Sequence, residues 1–356
     1  MPARAQTEDG QPAWRPIGRY ELGPRLAAGG MAELYVARAS GVHGFQKYFA
    51  LKRILPRWAD DREFVEMFLD EARLAAQLDH PNVVHVHDIG EDADGPFFTM
   101  DYIHGQSLLA IIRRQRTCGS PLPWDAFVAL GSAAAAGLHH AHERRGFDGK
   151  PLGIIHRDVS PSNILVGGDG CVKLSDFGIA KLSTHRSVFY KVKGKVGYMS
   201  PEQARGEPLD GRSDLFSLAV CVHEGLTGER LFAAMPMATA AELYARPAPR
   251  PSERRPGIPH AIDAVMGKAL DYDRTQRFQS ASELRDALLR AAAVSGLLYR
   301  REDMAAHLAD VLGHDARTWL RGGLDDERAG LTVPYAAPHL GKQQDLFAEP
   351  DDLLDD

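Results

Sequence analysis

The chain has 356 residues, 44% of them hydrophobic and 25% charged, with a formal net charge of −6. That is the make-up of an ordinary globular protein with room for a sizeable core, and it offers no basic excess that would favour nucleic acid as the main partner. Its three cysteines, Cys118, Cys171 and Cys221, are far apart in the sequence, which argues against a disulfide framework or zinc site, and charged or polar residues interrupt every apolar run before it could span a bilayer.

Met1 to Arg19 has no apolar stretch like that of a signal peptide and reads as a disordered leader. Tyr20-Glu21-Leu22, Leu34-Tyr35-Val36-Ala37 and Phe49-Ala50-Leu51-Lys52 then read as strands separated by turns. Asp60 to Leu78 places Phe64, Met67, Phe68, Leu74 and Leu78 at helical spacing, with Asp60 or Asp61 as cap and His80-Pro81 as stop. Val83-Val84-His85-Val86 and Phe97-Phe98-Thr99-Met100 read as further strands. From Ser107 the pattern is helical, with helices expected over Asp125–Glu143, Asp214–Leu226, Ala261–Leu270 and Ser282–Ala293. Leu297–Leu312 suggests one more helix, and the acidic end from Glu349 reads as a disordered tail that could serve as a docking peptide. The expected fold is α+β: a small β-rich lobe (20–102), a larger helical lobe (103–293) and a ligand cleft between them, followed by a C-terminal extension (294–356).

Two segments carry chemistry. His156-Arg157-Asp158-Val159-Ser160-Pro161-Ser162-Asn163 precedes Asp176-Phe177-Gly178, and together they supply carboxylate and amide oxygens suited to a hard divalent cation and an incoming hydroxyl. Upstream, Leu26-Ala27-Ala28-Gly29-Gly30-Met31 forms a hairpin tip of small residues whose backbone could approach phosphates, and Leu34 opens the next strand.

In this order the segments resemble the catalytic loop, metal loop and glycine-rich loop of the protein kinases, over about Tyr20 to Ala293. The resemblance implies a bilobal kinase fold and an active site divided as follows. Asp158 would orient or accept the proton of the substrate hydroxyl. Asn163 and Asp176 would hold Mg²⁺, with Mn²⁺ as an alternative. Lys52 would grip the α- and β-phosphates of ATP and Glu71 would orient Lys52, while the neighbouring Asp70 faces solvent. Ala50 and Met100 would line the adenine pocket, and the Asp101 carbonyl and Ile103 N–H would meet the adenine edge. Ala27 and Ala32 stand where the family's first and third loop glycines usually fall.

Ser200-Pro201-Glu202 resembles the end of a protein kinase activation segment, Asp214 the helix start that anchors the catalytic loop, and Arg277 the partner of Glu202. These elements favour a protein substrate over a small molecule. The Gly29-Gly30-Met31 run and Ser200-Pro201-Glu202-Gln203 are similar to the bacterial branch of eukaryotic-type serine/threonine kinases. Ser160 replaces a lysine usual in those kinases, and Lys195 replaces a threonine; the paired change suggests that Lys195 restores the charge beside Asp158 while Ser160 supplies the hydroxyl. Ser183, Thr184, Ser187 and Tyr190 could take phosphate that pairs with Arg157, with Thr184 and Ser187 the leading candidates. The expectation is an ATP- and Mg²⁺-dependent serine/threonine protein kinase acting in cytoplasmic signalling. The alternatives are a nucleotide-binding pseudokinase scaffold, suggested by Ala27, Ala32 and Ser160, and a small-molecule phosphotransferase.

Overall fold

The computed structural model describes residues 14–118, 122–177, 196–232, 244, 246–294, 296 and 299–312. Gly178, Ser183, Thr184, Ser187, Tyr190, Lys195 and the acidic C-terminal stretch lie outside the described residues.

The first lobe is a six-stranded antiparallel sheet in the order β1-β2-β3-β4-β6-β5. Its strands are β1 (Arg15–Ile17), β2 (Tyr20–Ala28), β3 (Ala32–Ser40), β4 (Gln46–Ile54), β5 (Val86–Asp92) and β6 (Gly95–Asp101). β1 corrects the reading of a disordered leader for residues 14–19; the leader's residues 1–13 lie outside the described residues. Ile17 is buried beside Tyr20, Leu22 and Phe97, and Trp14 lies so close to Gly23 that a β-carbon there would come within 2.7 Å of its ring. The Arg38 guanidinium lies over the Trp14 ring, 4.3 Å from its centroid.

Between β4 and β5 come a short helix α1 (Pro56–Ala59) and the longer α2 (Arg62–Ala75). Of the two expected caps, Asp61 performs the role, accepting from the N–H groups of Glu63 and Phe64. α2 buries Met67, Phe68, Ala72 and Ala75, the last three in one cluster with the sheet, where Phe68 meets Phe98 at 5.0 Å between ring centroids.

The linker after α2 was expected to begin a strand at Val83, but regular pairing with β6 starts only at Val86. Its backbone is committed elsewhere. Val84 N–H donates to Leu174 O (2.8 Å), Leu174 N–H to Asn82 O (2.9 Å), and the Asn82 amide to Val172 O (2.8 Å). On the other side Gly137 leaves room for this loop, because a β-carbon there would sit 2.7 Å from Asn82 O. The linker is thus laced to the second lobe.

That lobe is mainly helical: α3 (Leu108–Cys118), α4 (Trp124–His142), α5 (Pro201–Arg205), α6 (Gly211–Thr227), α7 (Pro251–Arg254), α8 (His260–Ala269), α9 (Ala281–Val294) and α10 (Arg301–Leu312). Buried faces of α4, α6, α8 and α9 make one contiguous apolar core. A three-stranded sheet of β7 (Gly105–Ser107), β8 (Ile164–Gly167) and β9 (Val172–Leu174) was not expected after Ser107; its strands are too short to show periodicity. α10 seats Met304 and Leu308 in the main core, and Arg301 pairs with Asp169 in the β8–β9 turn. The C-terminal extension therefore includes a helix packed on the second lobe. Among the described residues, no helix is long and apolar enough to cross a membrane.

Candidate active site

The catalytic-loop backbone is held by one buried carboxylate. Asp214, in the first turn of α6 and 1% exposed, accepts from the N–H groups of His156 and Arg157, both at 2.8 Å. His142 approaches the same carboxylate at 2.8 Å. Burial would raise the Asp214 pKa, but the bonds from His142 and the backbone outweigh it and hold it below the usual carboxylate range. Arg157 sits at φ 64°, a conformation that costs an L-residue energy and is compensated by the two bonds to Asp214. Its carbonyl also accepts from Gln203 at 2.8 Å, joining the catalytic loop to α5.

His156 is wholly buried, and burial lowers its pKa, so the ring is neutral. Its tautomer follows from its neighbours. Nδ1 accepts from the Asp158 N–H at 3.3 Å, leaving Nε2–H to donate to Ser175 O at 3.1 Å. Its ring lies 4.4 Å from that of buried Phe177.

β8 and β9 bring the two metal-ligand candidates together. Ile164 pairs with Leu174, and at the open end Ser175 N–H donates to Asn163 O at 2.9 Å. Asn163 is 1% exposed; its amide donates to the backbone carbonyl (2.9 Å) and carboxylate (3.1 Å) of Asp158. Asp176 stands one residue beyond Ser175 at φ 54°. Its carboxylate accepts from Lys52 Nζ at 2.9 Å, and Lys52 also donates to Glu71 at 2.5 Å. Lys52 of β4, held by Glu71 of α2, thus joins the first lobe to the metal loop of the second. Burial alone would lower the Lys52 pKa; Asp176 and Glu71 together raise it, and the side chain remains an ammonium. Burial pushes Glu71 upward, with Lys52 opposing it.

The remaining positions expected at the nucleotide divide between roof and loop. Ala50 and Met100 face each other across β4 and β6 and belong to one apolar cluster, against which Leu34, Tyr102 and Ile103 also pack. Leu165 of β8 joins that cluster from the second lobe. It escaped sequence reading because nothing in a four-residue strand identifies which side chain faces the cleft. Leu26, Ala27 and Ala28 end β2, and Gly29, Gly30 and Met31 form the hairpin tip before β3, closed by Gly29 N–H to Ala32 O at 2.8 Å. The Asp101 side chain is engaged by His87 (2.8 Å) and Lys173 (2.9 Å), leaving only its backbone for the role expected of it. Asp70 is exposed and bonds Arg73, in keeping with its assignment to solvent.

Ser160 is bonded within its own loop. It is 2% exposed, and its hydroxyl meets Ser162 Oγ at 3.0 Å; Ser162 in turn donates to Asn163 Oδ1 at 3.2 Å. Through Ser162 the hydroxyl thus supports the Asn163 amide. Lys195, its postulated partner, lies outside the described residues. Glu202 and Arg277 form the expected buried fork, with bonds of 2.8 and 3.0 Å and both residues 1% exposed.

This donor set fits Mg²⁺. Among the described residues no group of three His, Cys, Asp or Glu side chains is arranged to hold a metal alone. One amide and one carboxylate at the cleft leave the other positions to phosphate and water oxygens, the coordination Mg²⁺ prefers.

The protein kinase domain family matches residues 20–288. Similar proteins include the tyrosine-protein kinase MasK of Myxococcus xanthus (39% identical, covering 95% of this chain and 53% of MasK). The serine/threonine-protein kinase PknB of Mycobacterium leprae is 37% identical over 76% of this chain and 43% of its own length. The chain thus spans about half the length of these curated relatives. Among solved structures, the PknI kinase domain of Mycobacterium tuberculosis is similar at a TM-score of 0.58 and 30% identity, covering 78% of this chain and 98% of that one. With a bilobal architecture and a matched segment that contains every element of the cleft, the chain belongs to the protein kinase domain family, in the bacterial branch of its eukaryotic-type members.

Proposed function

We propose that this protein is an ATP- and Mg²⁺-dependent protein kinase that transfers the γ-phosphate to serine or threonine hydroxyls. The observation that carries the reading is the continuous set of contacts from Glu71 through Lys52 to Asp176, with Asn163 bonded to Asp158 beside it. Phosphoryl transfer needs alignment and charge stabilisation more than covalent chemistry. The Asp158 carboxylate accepts the proton of the attacking hydroxyl. The Lys52 ammonium binds the α- and β-phosphates, and Glu71 fixes its direction. Asn163 and Asp176 would hold Mg²⁺, which supplies neutralisation of phosphate charge when bound. ATP as donor also argues for action in the cytoplasm.

The contact between Lys52 and Glu71 speaks for an active enzyme over a nucleotide-binding scaffold. The test is transfer from Mg·ATP to a generic basic protein, with Asp158→Asn as control and phosphosites mapped by mass spectrometry. Binding without transfer would favour the scaffold. Autophosphorylation at Thr184 or Ser187, pairing with Arg157, is the proposed control; a fully active yet unmodified enzyme would contradict it. Lys195 is proposed to supply the charge that the missing catalytic-loop lysine does not. Lys195→Ala should then reduce kcat far more than Lys191→Ala or Lys193→Ala, and equal small losses would reject that role.

A second acceptor class has specific support: MasK is named a tyrosine kinase, and Ser160 removes a lysine usual in serine/threonine kinases. Phosphoamino-acid analysis of the products decides between the two.

A further inference from the structure

The hairpin tip read as the phosphate cradle is held by two side chains that no sequence motif marks. Trp58 Nε1 and Arg57 Nη2, both on α1, each donate to Gly30 O at 2.9 Å. The next carbonyl, Met31 O, accepts from Leu55 N–H at 2.8 Å. The Trp58 ring stacks on Phe64 of α2, with centroids 4.1 Å apart and planes at 25°, and the Arg57 guanidinium lies 5.5 Å from the Trp58 ring centre. Phe64 is about two helical turns before Glu71 on the same helix, so the two project from the same side of α2.

We propose that Trp58 and Arg57 are positioning residues that latch the glycine-loop tip to the helix carrying Glu71 and thereby set the loop's affinity for the phosphates of Mg·ATP. This inference rests on the kinase reading of the site. In a trans peptide the C=O and N–H point in opposite directions. Fixing the Gly30 carbonyl toward α1 turns the Met31 N–H to the opposite side, as a phosphate donor held before the ligand arrives. Orientation then comes from the latch instead of from glycine. Gly30 itself is not at a positive φ, and a β-carbon there would meet nothing within 4 Å. The same logic explains how the loop tolerates Ala27 and Ala32, since a tip restrained from outside has less need of flexible neighbours.

The experiment measures KM for ATP, kcat and KM for a basic protein substrate on the full chain, comparing wild type with Trp58→Phe, Arg57→Ala and the double variant. Trp58→Phe keeps a ring against Phe64 and removes only the N–H; Arg57 is exposed, so its replacement leaves the fold intact. Each single change should raise KM for ATP about two- to fivefold and the double change about five- to twentyfold, as expected for one and two hydrogen bonds. In all three, kcat and protein-substrate KM should stay within about twofold of wild type on this account. An unchanged KM for ATP in the double variant, or a loss confined to kcat, overturns the latch. A wild-type chain that neither binds Mg·ATP nor transfers phosphate would instead remove the kinase reading beneath it.

Discussion

Replacing Arg277 by methionine should destabilise the second lobe severely, and the loss should depend on pH in a defined sense. Arg277 is 1% exposed and uses both Nη atoms on Glu202, while donating to the carbonyls of Asp271 (2.7 Å), Tyr272 (3.1 Å) and Arg212 (3.3 Å). Methionine fills much of the volume but leaves those acceptors without this donor. It also leaves the Glu202 carboxylate buried with only Ser213 Oγ still donating to it, at 2.7 Å, among its side-chain partners here. Stranding one member of a buried pair costs about 3–5 kcal/mol, a large part of a typical folding free energy of roughly 5–15 kcal/mol. At about 2–4 °C per kcal/mol, the melting temperature should fall by roughly 10 °C.

In the native protein, burial raises the Glu202 pKa but the Arg277 bonds outweigh it, so the folded value lies below the ordinary 4.5. The pair therefore stabilises the fold above that ordinary value and loses its contribution as pH falls through the folded one. In the variant burial is opposed only by the Ser213 hydroxyl and a backbone bond, so the folded value should rise above 4.5, with the penalty full at neutral pH and fading on acidification. Urea unfolding at pH 7.5 and pH 5 checks both points. The deficit should be smaller at pH 5, and Glu202→Gln in the Arg277→Met background should recover part of it. A deficit below about 1 kcal/mol, or one independent of pH, would refute the assignment of a buried ion pair.

Asp214→Asn should lower kcat by at least about tenfold with a smaller change in KM for ATP, because one of the two oxygens accepting from His156 and Arg157 becomes a donor; unchanged steady-state kinetics would remove its role in shaping the loop. His80, His104, His140, His156 and His223 all have pKa values lowered by burial. They bind protons more readily when unfolded, so stability is present above their ordinary value of 6.5 and is lost as pH drops below it toward the folded values. Melting temperature should fall between pH 7.5 and 5.5, and His156→Asn should flatten that slope; a flat wild-type profile would contradict the burial argument. Asn163→Ala should weaken Mg²⁺-dependent ADP binding about tenfold or more while leaving metal-free ADP binding within about twofold. Equal losses with and without Mg²⁺, read by calorimetry, would remove Asn163 from the metal site.

The parts of the site legible in the sequence are those whose chemistry is local or occurs in motifs. Asp158 and Asn163 share one loop, Asp61 caps the helix it precedes, and the pairing of Glu202 with Arg277 followed from a family resemblance. The rest depends on contacts between distant segments. Trp58 and Arg57 reach back 28 and 27 residues to Gly30, and neither belongs to a pattern that signals such a bond. β1 is three residues long, too short for alternation to be visible, and its place is fixed by the Trp14 ring over Gly23. Val83 and Val84 have strand-like side chains, yet their backbone is drawn to Leu174. Ser160 was legible as a substituted position, but its bond to Ser162 within its own loop was not.

The central claim is that Asp158, Asn163, Asp176, Lys52 and Glu71 form one phosphoryl-transfer site. Its most direct test is radiolabelled phosphate transfer from Mg·ATP to protein by wild type, Asp158→Asn and Lys52→Met, with Mg·ATP binding measured alongside. Transfer by wild type, lost by at least about a thousandfold in Asp158→Asn while nucleotide binding persists, is the predicted result. Transfer that survives in Asp158→Asn, or its absence from a wild-type chain that binds Mg·ATP, would contradict it.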